Sequence, residues 1–160
     1  MWKPIDAVGL YVPGGISAYP SSLLMNVIPA KVAGVKRIVV VTPNSNKNIN
    51  PYILALLDIL EIHEAYQIGG AQAIAALSLG TETIPAVAKI VGPGSKIVQS
   101  AKALAVQYGT AIDLLAGPSE ILVISDGSTN SKWIAADLIS QAEHGRDSRC
   151  VLVTTSSEHA

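Results

Sequence analysis

Near its carboxyl end the chain reads SQAEHGRDS, from Ser140 to Ser148, and three of these residues are of types that do chemistry: an amide at Gln141, a carboxylate at Glu143 and an imidazole at His144. On a helix, Gln141 and His144 stand three residues apart on one face and reach a common point, whereas Glu143 points elsewhere. Imidazole is a common zinc ligand and a neutral glutamine an unusual one, and a pair at this spacing supplies at most two of the roughly four contacts that zinc takes. A plain helix end suits the same residues, because a histidine in the last turn before Gly145 is favoured by the helix dipole and a glutamine can simply be solvated. Spacing alone leaves both readings open. His63, in LEIHEA with Glu61 and Glu64 beside it, reads as a solvated face at a helix end, and His159, in the terminal SSEHA, as frayed chain.

A second set of candidates lies in glycine-rich turns that follow apolar runs: VPGG (Val12 to Gly15), IGGAQAI (Ile68 to Ile74) and VGPGSKIV (Val91 to Val98). At the carboxyl edge of a parallel sheet such turns bring helix N-termini, with free N–H groups and partial positive charge, up to a phosphate. Glycines also serve tight turns with no ligand involved. None of the three is a full dinucleotide fingerprint: GPGSKI carries Ile97 at the third glycine position, and Asp113, about the right distance on for a ribose contact, lies inside AIDLL.

The elements that must carry these residues alternate. AVGLYV, RIVVVT, AYQI, AKIVG, AIDLL, ILVIS and CVLVTT read as strands, apolar without strict alternation, as strands buried on both faces are. The stretches between them have helical length and spacing, which predicts an α/β fold: a Rossmann-like parallel sheet with helices on both faces and right-handed crossovers. Asn50 before Pro51 marks a helix start, and Gly80, Gly109 and Gly145 mark helix ends. Pro29 falls within the first helical pattern and is expected to kink or split it. TETIPAVAK is ambiguous between short helix and loop. The turn AGPSE, at Ala116 to Glu120, is the candidate boundary, with the last strand, helix and strand beginning a second sheet.

Composition narrows the class. With 160 residues, 49% hydrophobic and 14% charged, and Lys plus Arg at 11 against Asp plus Glu at 12, the chain suits a buried-rich globular domain and argues against a nucleic-acid partner. Its mean hydropathy of +0.41 predicts apolar surface covered by another subunit or by further chain. One cysteine, Cys150, excludes an internal disulfide and a thiolate zinc site and fits a reducing cytoplasm. No basic leader or membrane-length apolar run is present in the sequence.

Taken together and in this order and spacing, VGLYVPGG, GGAQAIAALSLGTE, VGPGSKIV, DLLAGPSEILVI and DLISQAEHGRDS resemble the histidinol dehydrogenase family. The resemblance implies oxidation of L-histidinol to L-histidine in two NAD-dependent steps, with a bound zinc ion and a homodimeric enzyme. By position, Tyr11, Gln72 and Ser95 match the family's NAD contacts, Ser119 a substrate contact, and Gln141 and His144 residues that bind both zinc and substrate. Ser95 departs from the pattern, since the family usually has asparagine there and a serine hydroxyl lacks the amide's reach. The resemblance places the family's acid–base glutamate and histidine, and its remaining zinc ligands, in sequence beyond Ala160, so no catalytic residue is assigned in this chain. It divides the chain into the end of a first-domain segment (1–10), an NAD-binding domain (11–116) and part of the substrate and zinc domain (117–160). An inactive remnant or binding module of the family, or a relative oxidising another small alcohol, are the alternative readings.

Overall fold

Parallel strands that are apolar throughout need a layer on each side, and the chain supplies both. The computed structural model describes residues 3–14, 19–43, 49–117, 119–144 and 147–160. It forms two units, Met1–Ala116 and Gly117–Ala160. In the first, β1 (Ala7–Tyr11), α1 (Pro20–Val32), β2 (Arg37–Val41), α2 (Pro51–Ile59), β3 (Glu64–Tyr66), α3 (Gly70–Leu79), β4 (Lys89–Val91), α4 (Lys96–Gln107) and β5 (Ala111–Ile112) follow one another. All strand pairs are parallel, in the order β3-β2-β1-β4-β5. The strand β1 starts at Ala7, ahead of the boundary expected at Tyr11, and is the middle strand of the sheet.

Alternate residues of β1 and β2 serve opposite faces. Val8, Leu10, Ile38 and Val40 pack with Leu23 and Val27 of α1 and Ile53 and Leu57 of α2. Tyr11, Val39 and Val41 pack with Ile74 and Leu77 of α3 and Val98 and Ala105 of α4. Gly9 belongs to this second face, where a Cβ would stand 2.8 Å from Leu77 Cδ1, so α3 rests directly on the strand backbone.

Local signals explain most boundaries. Asn50 caps α2 by accepting from Tyr52 N at 2.9 Å. Gly80 (φ 79°) caps α3 and Gly109 (φ 87°) follows the end of α4; Gly145 lies outside the described residues. The ambiguous TETIPAVAK is a loop in which Thr81 Oγ1 accepts from Ile84 N at 2.9 Å. Pro29 does not split α1, which continues to Val32, and Ala33 N still donates to Pro29 O at 2.9 Å. The residue is exposed and near the helix end, so only one interior hydrogen bond is lost and its ring meets solvent. His63 is exposed just past α2, and Glu64 opens β3 instead of ending a helix, receiving a forked ion pair from Arg37 with Nη2 to Oε2 at 2.8 Å.

The second unit is β6 (Glu120–Ser125), α5 (Ser131–Ala142) and β7 (Arg149–Thr154), with the two strands parallel and Asn130 capping α5 at Lys132 N, 2.9 Å. No helix among the described residues is long and apolar enough to cross a membrane.

Because Pro29 costs α1 one backbone bond without a packing role, Pro29→Ala is expected to stabilise the first unit by about 1–2 kcal/mol, the helix-propensity gain less the added freedom of the unfolded chain. Urea unfolding measures this; a lower midpoint would contradict it.

Candidate functional site

In an open α/β sheet the ligand crevice forms at the carboxyl edge where strand order reverses. That point here lies between β1 and β4, because α1 carries the chain from β1 toward β3 while β4 returns to the other side of β1. Tyr11 ends β1, the turn Gly92–Ser95 follows β4, and Gln72 lies in the first turn of α3 after β3. All three proposed cofactor contacts therefore stand at the same edge.

The turns at this edge are locked together by backbone contact. A Cβ on Gly92 would overlap the Tyr11 carbonyl oxygen, and Gly92 holds φ at +111°, so no other residue fits there without displacing β1. Gly14 and Gly69 both press on Pro43 after β2. Gly70 (φ +66°) donates its N–H to the Tyr11 hydroxyl at 3.2 Å, and the Gln72 Oε1 lies 2.9 Å from where its Cβ would be. Tyr11 is thus a buried phenol that accepts from the start of α3 and keeps its own proton to donate, while Gln72 is exposed above it. Ser95 is the exposed N-cap of α4, and its side chain makes no capping bond. No acidic residue occupies the first turn of α3 or α4, so neither helix N-terminus is neutralised by its own sequence.

Behind this edge lies a pair that sequence reasoning missed. Lys102 is 1% exposed and lies on the buried stripe of α4 with Val98 and Ala105. Its ammonium donates to Gly92 O at 3.0 Å, to Leu114 O at 3.3 Å and to Asp113 Oδ1. The other carboxylate oxygen of Asp113 accepts from Gly92 N at 2.8 Å, and Oδ1 also accepts from Leu114 N at 2.7 Å. Asp113, weighed as a ribose contact, is spent inside the protein. Burial acts to raise its carboxyl, but the hydrogen bonds from Lys102, Gly92 N and Leu114 N together hold it below the ordinary carboxylate value. The signal available in the sequence was a lysine at a core position, since an ammonium on an apolar stripe requires a partner.

In the second unit Ser119 is exposed just ahead of β6, and its carbonyl accepts from Arg149 N at 3.3 Å. The helix α5 stops at Ala142, so His144 is not helical as expected. It sits exposed in the following turn, its N–H on Gln141 O at 3.2 Å. Gln141 is half-buried, and its Nε2 has no hydrogen-bond partner. Ser119, Gln141 and His144 all precede the parallel strands β6 and β7, and so share the amino edge of this small sheet. No group of three or more His, Cys, Asp or Glu side chains able to hold a metal occurs among the described residues. Gln141 and His144 by themselves do not fit zinc, which takes about four ligands. His159 is not frayed: its Nδ1 is 2.9 Å from the buried Ser125 Oγ, and its N–H donates to Ser156 O at 3.2 Å.

The first unit is thus a doubly wound α/β domain with glycine turns at its switch point, the architecture used for nucleotides. The family profile described as Histidinol dehydrogenase matches residues 1–160. A histidinol dehydrogenase of Rhizobium meliloti (strain 1021) is 58% identical over 154 residues, covering 96% of this chain and 35% of that protein. One of Listeria monocytogenes serotype 4b (strain F2365) is 55% identical over 159 residues, covering 99% of this chain and 37% of its own length. The crystal structure of histidinol dehydrogenase from Elizabethkingia anophelis superposes with a TM-score of 0.91 at 48% identity, covering 98% of this chain and 36% of that one. The chain belongs to the histidinol dehydrogenase family and spans a little over a third of the length of these relatives.

Two outcomes follow from the geometry. Gly92→Ala combines a strained φ with overlap on β1 and should cost about 3 kcal/mol or more in chemical denaturation. Asp113, with its folded pKa lowered, contributes stability that is complete above the ordinary carboxylate value of about 3.9 and is lost as pH falls through the lower folded value. The urea midpoint of Asp113→Asn should therefore lie below the wild type at neutral pH and converge with it in acid. A constant gap down to the most acidic pH at which the chain stays folded would contradict this assignment.

Proposed function

We propose that this chain supplies the NAD-binding part, and a portion of the substrate-binding part, of a cytoplasmic histidinol dehydrogenase that oxidises L-histidinol to L-histidine, and that the whole enzyme is a homodimer. The observation that supports it most is the gathering of Tyr11, Gln72 and Ser95 at the edge where β1 and β4 diverge, within a fold 48% identical to a solved histidinol dehydrogenase. The glycine turns suit a dinucleotide, because the N-termini of α3 and α4 that follow them carry no acidic side chain in their first turns and the Tyr11 hydroxyl stands beside the start of α3. When bound, the nicotinamide accepts the hydride. Tyr11 donates its hydroxyl proton to the nucleotide and stays anchored by Gly70, Gln72 offers an amide, and Ser95 a hydroxyl at the N-terminus of α4. Ser119, Gln141 and His144 bind the amino alcohol, and Gln141 through Oε1 and His144 through an imidazole nitrogen would be two ligands of a zinc ion whose others are not found among the described residues.

Calorimetric titration with NAD tests the nucleotide site. Binding should be weaker than micromolar in the 160-residue chain, and Ser95→Asn should tighten it by no more than about 1.5 kcal/mol, the worth of one neutral hydrogen bond. Submicromolar affinity in the wild type would contradict the assignment of Ser95 as a weakened contact. Without an assigned acid–base group, a function typically worth ~10²–10⁴ in rate, the chain alone should form no NADH from histidinol with added zinc. Stoichiometric zinc in the purified chain, lost in His144→Ala, would show a site built from fewer ligands than zinc ordinarily takes.

A further inference from the structure

We propose that Lys102 and Asp113 are positioning residues for nucleotide binding: together they hold the Gly92 peptide so that the turn bearing Ser95 meets the dinucleotide. This rests on the reading of Tyr11, Gln72 and Ser95 as nucleotide contacts. The Gly92 peptide groups are gripped on both sides, the N–H by Asp113 Oδ2 at 2.8 Å and the carbonyl by Lys102 Nζ at 3.0 Å. All three ammonium protons are used, on Gly92 O, Leu114 O and Asp113 Oδ1, so the group is fully satisfied without water. The next turn of α4 adds a grip of its own, with Gln99 Nε2 on Gly94 O at 3.5 Å and Gln99 Oε1 receiving Ala116 N at 3.2 Å.

The placement of this charge separates positioning from plain stability. Position 102 falls on the buried stripe with Val98 and Ala105, where an apolar side chain would serve packing, and a buried ion pair is often no better for stability than a hydrophobic replacement. What the ion pair adds is direction. It ties the exits of β4 and β5 to the middle of α4, and fixes the one peptide whose φ of +111° no other residue would hold. Ser95, three residues on, is then held at the N-terminus of α4, and Gly92 against the Tyr11 carbonyl.

Asp113→Asn keeps the shape and removes one acceptor and the charge; the double variant Lys102→Met/Asp113→Asn removes both charges and keeps the α4 stripe apolar if the single change prevents folding. Each is compared with wild type by amide hydrogen exchange and NAD titration, with NMR shifts to detect binding at millimolar NAD. Exchange at Gly92 should quicken at least about tenfold more than at Gly9 and Leu10 of β1, which report only the global loss of stability, and the NAD dissociation constant should rise about tenfold. A merely structural role would quicken β1 and Gly92 alike. In the wild type, saturating NAD should slow exchange at Gly92. Unchanged Gly92 exchange in the variants, faster exchange with wild-type NAD affinity, or no NAD protection of Gly92 in the wild type would each overturn the proposal. A wild type that binds no NAD defeats the nucleotide reading itself, and the proposal with it; a wild type that binds, with a variant that binds equally, defeats the proposal alone.

Discussion

The first unit depends on one close approach, that of Gly92 to the backbone of Tyr11. Strand order reverses between β1 and β4, so the turn after β4 has to leave alongside the end of β1 without a helix between them. Any side chain at position 92 would overlap the Tyr11 carbonyl, and the +111° φ excludes one on conformational grounds as well. Given that contact, the N-terminus of α4 is set beside β1, and the Tyr11 ring, on the α3 and α4 face of the sheet, is left to meet Gly70 at the start of α3. Crevice and core are therefore not separable: the side chain that fills the α3 face of β1 also receives the first N–H of that helix.

A buried ammonium is out of place in such a core until the backbone groups around it are counted. Where a turn departs from a short strand such as β4, its carbonyls and N–H groups have no neighbouring strand to pair with. Lys102 and Asp113 satisfy them from within, on Gly92 and Leu114. Water could do the same at an exposed turn, but would leave its position loose. The opposite edge shows the exposed counterpart, Arg37 bridging Glu64 and the carbonyls of Pro85 and Ala86, where the amino ends of β2 and β3 need tying down.

Much of this was legible in the residues. The apolar runs without alternation marked strands covered on both sides, and the glycine turns marked the carboxyl edge. What was not legible depended on the third dimension. Asp113 has the sequence distance of a ribose contact, yet whether it faces outward or toward Gly92 is decided by α4, which delivers Lys102 to it. Pro29 carries a strong local breaking signal, but its exposed place near the end of α1 makes the loss small enough for packing on Leu23 and Val27 to outweigh. His159 looked free because its partner, Ser125, is distant in sequence and becomes its neighbour only when β6 and β7 pair in parallel.

The second unit combines incomplete burial with an unsatisfied amide. Parallel strands are ordinarily covered on both faces. Here α5 lies against one face, where Cys150 Sγ reaches Leu138 O at 3.2 Å, while Leu122, Ile124, Val151 and Val153 on the other are 49–76% exposed. In a unit with so little core, an unpaired buried amide is a poor use of stability, since leaving such a group unsatisfied costs roughly 1–3 kcal/mol. Other amides do not bear that cost: Asn130 and Asn50 accept capping N–H groups, and both ends of Gln99 are engaged. Among the described residues, Gln141 is half-buried with its Nε2 unpartnered, one turn before an exposed imidazole. A capping or solvated glutamine would have its amide in water or on a backbone group. The free Nε2 is a hydrogen-bond donor and no metal ligand, so what it leaves open is a bond to an acceptor, and this is the physical ground for proposing a ligand role for Gln141 instead of a polar helix end.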